Sequence, residues 1–149
     1  RAGLVFALKE AVGAESIRAR EHSFIRPAIA RWDRHPNIEI LGSHSLDRLS
    51  IVSFVVRHPG ADGSRRYLHH NYVVALLNDL FGIQSRAGCS CAGPYGHRLL
   101  GIDQPTSELY RDWVRKGFQG IKPGWCRVGF HYAMDDIEAW LRQAGQQQV

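Results

Sequence analysis

Leu49 to Val56 constrains the fold more than any other stretch of the chain, being almost uniformly apolar and rich in β-branched side chains. Such a run reads as a central strand covered on both faces, which requires strand neighbours and helices to bury it. Ile38-Glu39-Ile40-Leu41 alternates into a shorter strand that stops at Gly42, and Cys126 to Phe130 supplies a third. Between the first two of these and the third, Pro59 to Ser64 is a polar, glycine-rich turn.

Helical periodicity fills most of the remainder. Leu4, Leu8, Ala11 and Val12 share one face of a helix from Ala2 to Val12, with Gly13 placed to end it. Ile17, Glu21, Phe24, Ile25, Ala28, Ile29 and Trp32 are spaced for a second helix, from Glu15 to about Arg34. Pro27 should kink this helix or restart it, since an interior proline costs about 3 kcal/mol, and His35-Pro36-Asn37 breaks it. Asn71 to Phe81 is helical, with Gly82 as its cap. Pro105 and Thr106 open another helix, striped by Leu109, Tyr110, Trp113, Val114 and Phe118 and ended by the segment Gly117 to Gly124. Asp135 caps a last one, with Glu138 three residues on and Ile137, Trp140 and Leu141 on its buried face, before a frayed tail from Gln143. The fold class expected is α+β, a small, mainly antiparallel sheet with helices packed on one side.

With 149 residues, 44% hydrophobic and 22% charged, the chain is suited to a compact domain with a real core rather than to disorder. No apolar run approaches the roughly 18 residues of a membrane span, and no signal peptide is recognisable at the start. A soluble, cytoplasmic protein is expected, with no membrane partner. The net charge of +5 is dispersed and accompanied by no nucleic-acid signature, so anionic small molecules are the expected partners rather than nucleic acid. Cys89 and Cys91 are too close for an ordinary bridge, and reduced thiols are expected.

Two motifs carry chemistry. Arg86-Ala87-Gly88-Cys89-Ser90-Cys91-Ala92-Gly93-Pro94 places two thiols on a glycine-bounded loop just after an arginine. Arg86 or a protonated His97 would lower a thiol pKa from about 8.5, and glycines 88, 93 and 96 would let the loop move. The plain alternative is that these cysteines are small buried residues. Zinc held by Cys89, Cys91, His97, Cys126 and His131 is disfavoured, because Cys-x-Cys spacing strains the coordination; no metal is expected.

In the second motif, Cys126-Arg127-Val128-Gly129-Phe130-His131-Tyr132, alternation puts Arg127, Gly129 and His131 on one face and Cys126, Val128 and Phe130 on the other. A planar guanidinium beside an open glycine can grip a carboxylate with two parallel hydrogen bonds. The competing role for Arg127 is a surface pair with Asp135, Asp136 or Glu138. His69 and His70, before a helix, are assigned no role, and the tryptophans read as core or interface anchors.

These two blocks, in this order, resemble the active-site loop and the late substrate-binding strand of cysteine desulfurases within the class V, fold-type I enzymes that use pyridoxal phosphate. The resemblance covers nearly the whole chain and implies the same α+β architecture. Laying the family's Arg-x-Gly-x-x-Cys pattern on Arg86 and Gly88 puts the reactive cysteine at Cys91, with Cys89 as its backup; position 89, commonly histidine in that pattern, is cysteine here. Arg127 is the matching carboxylate-binding residue, and Arg86 a second candidate for substrate binding.

Such enzymes hold the cofactor as a Schiff base on a lysine of a preceding large domain, and none of Lys9, Lys116 and Lys122 has that setting. The resemblance therefore implies residues 1–34 as leading helices from an interdomain region and 35–149 as the C-terminal small domain. No cofactor-binding residue is expected in this chain, which alone would be inactive, and the full enzyme would be a homodimer acting on an amino acid. An aminotransferase, epimerase or lyase without the thiol step, or a free-standing interaction or thiol-carrier module, stand as alternatives.

Overall fold

The computed structural model describes residues 2–89 and 92–134. Helix α1 spans Ala2–Val12 and α2 Ala14–Trp32, the two meeting at Gly13. Pro27 does not end α2. Phe24, Ile25 and Ala28, on both sides of it, are buried against the sheet, and that burial offsets the lost backbone bond. Strands β1 (Ile38–Ile40) and β2 (Ile51–Pro59) follow, then β3 (Arg65–Tyr67) and α3 (His70–Phe81). The His69 ring caps α3 by accepting from the Asn71 amide, and Gly82 closes it at φ 65°. After β4 (Arg86–Gly88) come α4 (Gly93–Leu100), α5 (Gln104–Arg115), a single 3-10 turn and β5 (Trp125–Gly129). Asp103 caps α5 by accepting from the Thr106 amide, and hydrogen bonds from the Thr106 hydroxyl and amide hold its carboxyl below the usual range.

The sheet order is β1-β2-β5-β4, antiparallel throughout, and β3 pairs with the far end of β2 as a hairpin. Chain-distant β5 thus lies between β2 and β4. One face carries Ile40, Val52, Phe54, Cys126 and Val128, packed by Phe24, Ile25 and Ala28 of α2 and Val73 of α3. Trp32 tilts over Phe54 and Phe130 with ring centroids 5.7 and 6.0 Å away. This is the α+β arrangement expected, with the two long helices α2 and α3 on one side. On the other face α4 adds a small cluster, Leu99 and Leu100 against Leu41, Val55 and Trp125.

Some boundaries differ from the sequence reading. Strand β2 begins at Ile51 and is covered on both faces only around Val55, because among the described residues no element overlies Ile51, which is 42% exposed. The glycine-bounded segment 88–96 is not one long loop: β4 ends at Gly88 and α4 begins at Gly93. Pro94 presets the first helical turn, and Gly101 ends the helix at φ 67°. Gly96 is buried for packing rather than for motion, since a Cβ there would lie 3.1 Å from the Trp125 ring. The helix expected from Asp135 onward lies outside the described residues. Among the described residues, no helix is long and apolar enough to cross a membrane.

Candidate functional site

Alternation along β5 buries Cys126, Val128 and Phe130 and leaves Arg127 half-buried and Gly129 exposed on the opposite face. The neighbouring strands complete the surroundings of Arg127. Its register partner on β4 is Arg86, and its partner on β2 is Ser53. Directly opposed residues of an antiparallel pair have Cβ atoms about 4.5–5.5 Å apart on the same face, and like charges so placed repel.

Arg86 and Arg127 therefore form an electropositive pair that a neighbouring carboxylate would normally relieve. Among the described residues neither side chain has an ion-pair or hydrogen-bond partner. Arg57, farther along the same face of β2, shows the contrast: its Nε donates to Glu39 Oε2 at 3.0 Å, and the Tyr67 hydroxyl donates to the same oxygen. Asp135, Asp136 and Glu138, the other carboxylates weighed for Arg127, lie outside the described residues. Gly129 keeps the end of the row open, with the nearest atom to a hypothetical Cβ, Ser50 O, 3.6 Å away.

Cys89 is an exposed thiol immediately after β4, three residues beyond Arg86, and its carbonyl accepts from the Ala92 amide at 3.0 Å in the turn leading to α4. Cys91 lies outside the described residues. His97 sits in the last turn of α4 and makes no described contact with Cys89. Cys126 is chemically distinct. Its Sγ donates to the His70 carbonyl at 3.5 Å, and burial pushes its thiol up to about 11, so it is held as an inert core residue.

His70, assigned no role from sequence, is 8% exposed and stitches α3 to the segment entering β5: its Nε2 donates to the Lys122 carbonyl at 3.1 Å. His131 does not join Arg127. It stacks on Tyr132 at 4.3 Å, and both line a hollow of about 690 Å³ against Val5, Leu8 and Ile17 of α1 and α2. That hollow contains neither Arg127 nor Arg86.

A smaller depression of about 370 Å³ does adjoin the arginine row through Ser53, which lines it together with Leu41, Leu46, Ile51 and Tyr95. Sequence reading passed over Ser53 and Tyr95. Ser53 was visible as a polar residue inside the apolar β2 run, whereas Tyr95 gave no signal until α4 was seen to fold over the sheet. Trp125, beside the row on the same face, is 4% exposed and its indole N–H has no partner among the described residues.

The cofactor implied by the resemblance does not fit the residues described. A Schiff-base lysine is activated by desolvation or by a neighbouring cation. Lys9, Lys116 and Lys122 are all exposed: Lys9 lines the open hollow beside His131, and the Lys116 ammonium rests over the Trp113 ring at 4.8 Å. What the site offers is a pair of guanidinium groups for an anion, not a seat for pyridoxal phosphate. No cluster of three or more His, Cys, Asp or Glu that could hold a metal occurs among the described residues.

A comparison with curated proteins finds no match. Against protein-family models the result is specific: the aminotransferase class-V model matches residues 2–139. That match spans both leading helices, the sheet and the two motif blocks, and its members are enzymes that depend on pyridoxal phosphate. By this match the chain belongs to the aminotransferase class-V family.

Proposed function

We propose that the chain is the C-terminal domain of a pyridoxal-phosphate-dependent enzyme of cysteine desulfurase or selenocysteine lyase type, acting on an amino acid in a homodimer. The cofactor lysine comes from a large domain outside this sequence. The observation that carries the proposal is the opposed pair Arg86 and Arg127, whose side chains have no ion-pair partner among the described residues, with the exposed thiol of Cys89 three residues after Arg86. Arg127 donates two parallel hydrogen bonds to the substrate carboxylate, and Arg86 adds a second positive charge on the same face. Cys91 acts as a thiolate: its sulfur bonds to the substrate sulfur as the substrate C–S bond breaks, and the electron pair stays on the substrate carbon, which is then protonated. The products are a Cys91 persulfide and alanine.

A second reading keeps the carboxylate site and omits the thiol step. It draws support from the apolar depression beside Ser53, which a substrate as small as cysteine would not fill.

The deciding experiment uses the enzyme with its cofactor domain. Cys91→Ala should abolish sulfur release from cysteine while substrate still binds, and Arg127→Ala should weaken binding by about 2 to 4 kcal/mol. Full sulfur release from Cys91→Ala with loss in Cys89→Ala would move the thiol role to Cys89. Full release from both variants would leave only the second reading.

A further inference from the structure

We propose that the depression beside the arginine row is a subsite for the apolar chain of the carboxylate ligand, so that the preferred ligand is a carboxylate extending about four or more atoms beyond its carboxyl carbon. The inference rests on the carboxylate reading of Arg127 and deepens the second reading, in which the thiol step is omitted.

Three observations carry it. Leu46, Ile51 and Tyr95 are 69%, 42% and 59% exposed, yet they line one depression with the buried Leu41 instead of being scattered across the surface; Ser43, Asp47 and Arg48 supply its polar lining. Clustered apolar exposure of this kind marks a binding surface more often than isolated residues do. The depression holds about 370 Å³, at the small end of ligand cavities, which suits an aliphatic or aromatic side chain rather than a macromolecule. Lastly, it is in register with the charge. Ser53 lines the depression and is the cross-strand partner of Arg127, so a carboxylate on Arg127 would direct its chain over Ser53 toward Ile51 and Leu46.

The walls are positioned. Leu46 belongs to the segment between β1 and β2, and Asp47 next to it is bound by Arg18 and, at 3.1 Å, by His22 Nε2, both on α2. Tyr95 is presented by α4, whose Leu99 and Leu100 pack on the same sheet face. The ligand chemistry predicted is thus a carboxylate at one end and an apolar chain at the other, with a hydroxyl from Ser53 between them.

The test titrates the chain with acetate, hexanoate and hexanol, following the Arg127 side-chain and Ser53 amide signals by NMR. Hexanoate should bind about tenfold more tightly than acetate, the effect of partly burying four methylenes in an open depression, and hexanol should bind more weakly than hexanoate. Leu46→Ser and Ile51→Ser, both at exposed positions and each checked for an unchanged fold by its spectrum, should reduce the advantage of hexanoate below threefold with acetate unaffected. Arg127→Ala should weaken both carboxylates. Equal binding of acetate and hexanoate, both lost in Arg127→Ala, would overturn the subsite and leave the carboxylate reading standing. Carboxylate binding that survives Arg127→Ala, or no carboxylate binding at all, would overturn the carboxylate reading and the subsite with it.

Discussion

Gly124 and Gly88 lie so close that a Cβ on Gly124 would sit 2.7 Å from both the Cα and the carbonyl carbon of Gly88. This contact seats β4 against the entry to β5, and β4 carries Arg86 to its place opposite Arg127. The arginine row therefore depends on a glycine that touches neither arginine's charge.

Gly124→Ala should destabilise the chain by about 3 kcal/mol, because the obstruction is backbone and cannot rotate away. The His70 ring, 2.6 Å from the same Cβ position, adds to it. Gly96→Ala, whose Cβ would press on the Trp125 ring at 3.1 Å, should cost less, about 1 kcal/mol. Urea unfolding of both variants checks the order; a Gly124→Ala chain as stable as the parent would disprove the close approach.

Cys126 should make stability fall at high pH. Its folded pKa of about 11 lies above the ordinary 9.0, so the folded chain holds the thiol proton more tightly than the unfolded one. The contribution is complete below about pH 9.0 and is lost as pH rises through about 11. Unfolding midpoints measured at steps across that window should decline, and the decline should shrink in Cys126→Val. In the native state Cys89 should react with iodoacetamide and Cys126 should not, as peptide mass mapping would show.

Arg86→Thr should stabilise the chain slightly, by about 0.2 to 1 kcal/mol, since it removes a like charge directly opposite Arg127 and places a β-favouring residue in β4. Added salt should narrow the gap between variant and parent, because screening relieves the repulsion present only in the parent. The same change should weaken carboxylate binding. A gain in stability together with a loss in binding is the sign of charges kept for a ligand, and destabilisation on Arg86→Thr would contradict it.

Asp47→Asn should cost little overall, under about 1 kcal/mol, because its partners Arg18 and His22 form a surface network with Asp47 and Arg18 both more than half exposed. Its local effect should be larger. Amide hydrogen exchange should speed up across residues 43–49, which form one wall of the apolar depression. Unchanged exchange there would show that the segment is held by other contacts, such as Arg48 donating to the Ser43 carbonyl.

The amino-acid sequence by itself determined the elements whose signal is local and periodic. Helix α1 was legible to its last residue, α3 was legible because apolar spacing and a capping glycine agree, and the β5 alternation separated Arg127 from Cys126 before any neighbour was known. The motif blocks also indicated the family. Tertiary structure decided everything that depends on which strands meet. Strands β3 and β4 have three residues each, too short for a period to register, and they exist because β2 and β5 hydrogen-bond them. Helix α4 begins with Gly-Pro and carries a second glycine in its interior, so its sequence reads as a loop until Trp125 packs against it. The placement of Arg86 opposite Arg127 and of Ser53 on the other flank followed from pairings between residues distant along the chain, and sequence periodicity carries no information on such pairings.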